Sequence, residues 1–193
     1  MMDETILARR MRLAQNFLES AFPRGDDSIV SKMLREIGYY RAPASKGHHL
    51  AEPGGLMVHS VNVTQRLVDL SVAWHVNWPR VESPYIVGML HDLVKCRCYR
   101  AVDGAEQAWE YVQPEYPGHG ACSVAIAAGL GIHLMREEIA AITFHMGLWG
   151  VGKEYTEDEF RAAMKVFASP IVATHAADWY AASVDEGEVH DAR

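Results

Sequence analysis

Several histidines and aspartates of this chain stand where apolar side chains should be. His59 interrupts the series Leu56, Val63, Leu67 and Leu70, and His91 with Asp92 follows Ile86, Met89 and Leu90. His145 continues a face begun by Ile139 and Ile142, and Asp178 one begun by Ile171 and Thr174. Solvent-facing helix surfaces are not written this way. One such histidine would mean only a hydrogen-bonded core residue. Together, several imidazoles and two carboxylates buried without partners would cost on the order of several kcal/mol, whereas one shared divalent cation satisfies them all. Mixed nitrogen and oxygen donors suit borderline and hard metals, and helical bundles hold such sites in their cores. The expected cofactor is one or two divalent ions, from among Fe, Mn, Zn, Ni, Co and Mg. His91 and Asp92 are adjacent and cannot point the same way on a regular helix, so either the helix ends there or metal approaches from the side.

The elements that must deliver these groups are mostly helices. Ile6, Leu7, Met11, Leu13, Phe17 and Leu18 recur at helical spacing between Asp3 and about Phe22. A second helix, capped by Asp27 or Ser28, turns Ile29, Met33, Leu34 and Ile37 inward and stops near Gly38. Pro, Gly and Ser make 41–55 a loop, and a long helix follows Gly54-Gly55. Ser83-Pro84 reads as a cap with proline at the first helical position. Val102-Asp103-Gly104, followed by Trp109, Tyr111 and Val112, predicts a short β-hairpin with its turn at Asp-Gly. Helices are expected from His119, from Arg136 to His145, from the capping box Thr156-Glu157-Asp158-Glu159, and again from Ser169-Pro170. The tail from Asp185 is polar and expected to fray. The fold expected is all-α with one small hairpin, as a single domain over 1–193: N-terminal helices to residue 40 and a metal-binding core over 45–183.

Composition narrows the function classes. With 49% hydrophobic and 22% charged residues, 193 residues can bury a substantial core. The 25 acidic residues outnumber the 18 Lys and Arg, and a net charge of −7 disfavours non-specific binding to long nucleic acid. Charges interrupt MMDETILARRMRLAQNF where a signal peptide needs an apolar segment, and no apolar run reaches the roughly 20 residues of a membrane span. Cys96, Cys98 and Cys122 cannot all pair and include no Cys-x-x-Cys. A cytoplasmic protein with reduced thiols and no membrane partner is expected. Gly-x-Gly-x-x-Gly, Walker and Gly-x-Ser-x-Gly motifs are absent.

The strings GGLMVHSV, GMLHDLVK and THAADWYAAS, which place His59, His91-Asp92 and Asp178 in order, resemble the metal-binding signature of the HD superfamily. The resemblance covers about residues 45 to 183. His119, in YPGHGACS, and His145, in ITFHMGLWG, are similar to the additional positions of its two-metal branch. PASKGHHLAEPGGLMVH further resembles HD domains of bacterial 3′→5′ exoribonucleases and conjugative relaxases, whose usual additional domains are not expected for this chain. The resemblance implies a helical HD bundle in which His59, His91, Asp92 and Asp178 hold one metal and Asp92 bridges to a second held by His119 and His145. It implies phosphomonoester or phosphodiester hydrolysis, with the metals activating water and neutralising phosphoryl oxygens. Asp92 and Lys95 are then the catalytic candidates. Lys95, four residues after His91, is placed to reach phosphoryl oxygens.

The expected substrate is a nucleotide, short oligonucleotide or other small phosphoester. His48 and His49 match a pair in the related exoribonucleases, and His49, Arg41 and Lys46 are substrate-binding candidates beside Lys95. Lys153 is a further basic group, and His175 is expected behind a ligand rather than on the metal. His75, His133 and His190 lie outside the pattern. Some HD relatives, such as inositol oxygenase, use a similar ligand set for di-iron oxygen chemistry, so a mixed-valent di-iron oxygenase is one alternative. A non-catalytic nucleotide-binding HD protein is another. Ligand types do not separate them, and nothing in the sequence sets the oligomeric state.

Overall fold

The computed structural model describes residues 4–47, 50–102, 109–112 and 118–187. His48, His49, His190 and the Asp103-Gly104 turn lie outside them. The architecture is all-α with one two-stranded hairpin: helices α1 (Glu4–Ala21), α2 (Asp27–Glu36), α3 (Gly55–Ala73), α4 (Ser83–Leu90), the short α5 (Lys95–Cys98), strands β1 (Tyr99–Ala101) and β2 (Trp109–Tyr111), then α6 (His119–Gly129), α7 (Arg136–Thr143) and α8 (Glu157–Tyr180). The strands are antiparallel, with Tyr99 opposite Tyr111 and Ala101 opposite Trp109. No helix among the described residues is long and apolar enough to cross a membrane.

α3 is the central element, packed against α1, α4 and α8, while α7 packs on α4, α6 and α8. From Gly55 to Thr64 every residue of α3 is buried, so this half of the helix is core on all sides. Close approach to α4 depends on Gly88. A Cβ there would lie 2.6 Å from the Thr64 Cα, well inside contact distance. Gly120 does the same for α6, where a Cβ would meet the main chain of Thr143 at the end of α7.

Several local expectations shift. In α2 the inward residues are Val30 and Leu34, while Ile29 is 54% exposed, because the face that meets α1 is displaced by one residue. The residue before that helix is Asp26, with no side-chain cap. Ser83 is the first residue of α4 rather than its cap, and its hydroxyl donates instead to the buried Glu138 carboxylate at 2.8 Å. The two helices expected from Thr156 and Ser169 form one. Thr156 and Glu159 make the capping box, but Pro170 lies inside α8, and the backbone breaks at Phe167 (φ −122°, ψ 25°). Proline lacks the N–H and crowds the carbonyl four residues earlier, so the chain kinks there instead of starting anew.

Gly88→Ala should destabilise the fold by about 1–3 kcal/mol, because the obstructing atom is main chain and cannot swing aside. Denaturant unfolding measures this, and an unchanged midpoint would show that α3 and α4 can separate at no cost.

Candidate metal centre

Each candidate ligand sits at a helix end or on the buried half of α3. His59 is in the second turn of α3, and His91 and Asp92 occupy the turn after α4 ends at Leu90, which resolves how two adjacent residues serve one site. His119 opens α6, His145 stands two residues beyond α7, and Asp178 lies in the last turn of α8. His59, His91, Asp92 and His145 are all buried.

These residues converge. His59 Nε2 is 3.3 Å from His91 Nε2 and 3.1 Å from Asp178 Oδ1. Asp92 lies between two histidine pairs. Its Oδ2 is 3.5 Å from Nε2 of both His59 and His91, and its Oδ1 is 2.5 Å from His119 Nε2 and 3.6 Å from His145 Nε2. Two overlapping triads have geometry able to hold an ion: His59, His91 and Asp178, and His91, Asp92 and His145.

The tautomers fit this use. His91 Nδ1 lies 2.9 Å from the Gly88 carbonyl oxygen, and His145 Nδ1 lies 2.7 Å from that of Ile142. A carbonyl only accepts, so in each neutral ring Nδ1 carries the proton and Nε2 turns a lone pair into the cluster. His59 Nδ1 is 3.0 Å from the Glu186 carboxylate and is fixed the same way. Lone pairs on His59 and His91 therefore face each other at 3.3 Å, which is repulsive unless positive charge lies between them. These buried His and Asp groups can hold a divalent ion, the donor set being mixed nitrogen and carboxylate oxygen.

Protons and one ammonium supply positive charge to the metal-free site. Burial pulls His59 down, but hydrogen bonds to Asp178 and Glu186 outweigh it and push it up to about 9. Burial carries His91 down to about 4 despite its carboxylate neighbours. Burial opposes ionisation of Asp92, yet Lys95, His91 and His119 hold it well below the carboxylate range, and His59 does the same for Asp178. Burial lowers Lys95, and Asp92 more than restores it. The Lys95 ammonium sits 2.7 Å from Asp92 Oδ2.

The centre opens into a cavity of about 260 Å³ lined by Lys95, His119, Met146, Trp149, His175 and Trp179, among others. Trp149 and Trp179 remain 65% and 52% exposed. Among the described residues Lys95 is the one Lys or Arg in that lining; Arg41, Lys46 and Lys153 are exposed and do not contribute to it. His175 also lines the cavity, and its Nδ1 donates to the main-chain oxygen of His145 at 2.7 Å. His75 and His133 are exposed. None of the three cysteines is in a disulfide, and burial raises the Cys96 thiol to about 12 and the Cys98 thiol to about 11.

The expectation of a fraying tail from Asp185 is corrected at Asp185 and Glu186 by two contacts, and the tail from residue 188 lies outside the described residues. Asp185 pairs with Arg66 through both carboxylate oxygens, and Glu186, its side chain 1% exposed, reaches His59 and Asn62. Glu186 is the residue of the site that sequence analysis missed. Glu138 was missed too: it is fully buried beneath Arg80 and Ser83. With this geometry in hand, comparison with known proteins adds nothing: the chain matches no family model, no curated protein and no solved structure.

Metal-free protein should be most stable near pH 6.5. Protonated His59 stabilises the fold fully below its unfolded value of about 6.5, and that contribution is lost as pH rises through about 9. On the acid side only the unfolded chain readily protonates His91, whose folded value is about 4, so stability falls as pH drops below about 6.5. Depressed Asp178 adds to the acid loss below its unfolded value. Melting temperatures in chelator across this range measure the profile, and a steady climb between pH 6.5 and 9 would contradict it. Added divalent metal should abolish the alkaline decline, because the ion takes the place of the proton.

Proposed function

We propose that this chain is a metal-dependent phosphohydrolase of the HD type, acting on the phosphoester of a nucleotide, short oligonucleotide or other small phosphorylated molecule. The observation that carries the proposal is the convergence of His59, His91, Asp92, His145 and Asp178, with His119 bonded to Asp92, at the floor of an open cavity that also holds one ammonium. The ligand order is that of the HD signature.

His59, His91 and Asp178 would hold one ion, and His145 with His119 a second, with Asp92 between them. Bound there, divalent metal supplies Lewis acidity that activates water and neutralises phosphoryl charge. The remaining work belongs to the protein. Lys95 uses one N–H on Asp92 and keeps two for an arriving phosphoryl oxygen. His175 braces the main chain at His145, keeping that ligand in place. Met146, Trp149 and Trp179 offer apolar and aromatic surface to the organic part of the substrate and exclude water around it.

Metal analysis of purified protein, followed by a screen of phosphomonoesters, phosphodiesters and nucleotides, tests the assignment. Iron content with oxygen consumption and no phosphate release would transfer it to the di-iron oxygenase class. Asp92→Ala should lose metal and activity together, whereas Lys95→Ala should keep metal while turnover falls by about 10²-fold. Equal metal loss in both would remove the distinction between ligand and charge donor.

Substrate length is limited by the same cavity. Tracking several phosphates requires a row of cations, and one lysine in a protein of net charge −7 does not provide it. In direct competition a mononucleotide or short oligomer should be hydrolysed in preference to a 20-mer. Tight, strongly salt-dependent binding of the 20-mer with processive shortening would restore the exoribonuclease analogy.

A further inference from the structure

We propose that Glu186, in the segment after α8, is a positioning residue for the metal centre: its carboxylate holds His59 with Nε2 presented to the metal and strengthens that imidazole as a ligand. The inference rests on the metal-centre reading and on none of its substrate assignments. Both Glu186 oxygens approach His59 Nδ1, at 3.1 and 3.0 Å, and Asn62 Nδ2 donates to Oε1 at 2.9 Å. His91 and His145 lean on neutral carbonyls, whereas His59 leans on a charged group. A carboxylate accepting the Nδ1 proton shifts electron density towards Nε2 and raises ligand basicity.

The backbone is shaped to deliver this side chain. Residues Ala181–Asp185 form a π-helical turn, closed by the Glu186 N–H on the Ala181 carbonyl at 3.0 Å. Such turns are frequent at functional sites. Consecutive acidic residues then grip α3 two turns apart: Glu186 at His59, and Asp185 at Arg66, whose guanidinium also lies 4.6 Å from the Tyr180 ring centroid. The carboxylate sits with its side chain 1% exposed although the flanking Asp185 and Gly187 are exposed, so the segment turns this acid inward onto the His59 imidazole.

The test is titration of metal-stripped wild type, Glu186→Gln and Glu186→Ala with cobalt(II) alone, against a competing chelator. Affinity and the visible ligand-field absorption of the bound cobalt are both read. The range for such supporting carboxylates is about 10–100-fold, so Gln, which keeps an acceptor without charge, should weaken binding by roughly 10-fold and Ala by roughly 100-fold, each with altered absorption. Because Gln is nearly isosteric, it decides the matter even if Ala fails to fold. Wild-type affinity and spectrum in Glu186→Gln would overturn the inference while leaving the metal centre intact. No cobalt uptake by wild type would overturn the metal centre and this role with it.

Discussion

Lone pairs converge in the buried centre of this protein. His59 and His91 turn Nε2 towards each other at 3.3 Å, and Asp92 and Asp178 bring carboxylates to the same place. Buried acceptors of this kind repel one another unless positive charge lies among them. A proton on His59 and the ammonium of Lys95 supply such charge. Each reaches only part of the cluster, since a proton joins two acceptors and the ammonium is paired with Asp92. A divalent cation would meet several lone pairs at once, and these buried groups could hold one.

The scaffold serves that convergence by bringing helix ends together. Gly88 lets α4 close on α3 so that His91 meets His59, and the same residue's carbonyl fixes the His91 tautomer. Gly120 lets α6 close on the end of α7, which brings His119 and His145 to the same carboxylate. Ligands at helix ends are freed from helical side-chain directions, so the adjacent His91 and Asp92 can both contribute. The carbonyls of Gly88 and Ile142, near those ends, become the acceptors that orient the imidazoles.

What could be read in the sequence follows from this arrangement. His59, His91, His145 and Asp178 stood out because each is polar within an apolar pattern, and burial produces that contrast locally. His119 did not, since it opens a helix and stays partly exposed; only the resemblance to a known signature pointed to it. Glu186 lay in a polar tail, and nothing nearby reveals that its partner is His59, 127 residues earlier. Glu138 looked like an ordinary acidic residue of a first helical turn, because Arg80 is 58 residues away. Ser169-Pro170 carries the same local signal whether it starts a helix or kinks one, and the packing of α8 against α7 decides between them.

Glu138 also shows how this protein buries a carboxylate for structure alone. Its oxygens receive two N–H groups from Arg80 at 2.7 Å, the Ser83 hydroxyl at 2.8 Å and the Met135 N–H at 2.8 Å. That is a full set of donors from residues with no chemistry to perform, and it ties the start of α7 to the start of α4. Asp92 and Asp178 are treated differently. Around them stand His59, His91 and His145, whose Nδ1 atoms already face other acceptors, so in the neutral rings these three turn Nε2 lone pairs towards the carboxylates, while Lys95 and His119 contact Asp92. A fold that satisfies a buried acid so completely at Glu138, yet gathers Asp92, Asp178 and several imidazoles beside an open cavity, places there a set of ligand atoms that could hold a divalent ion.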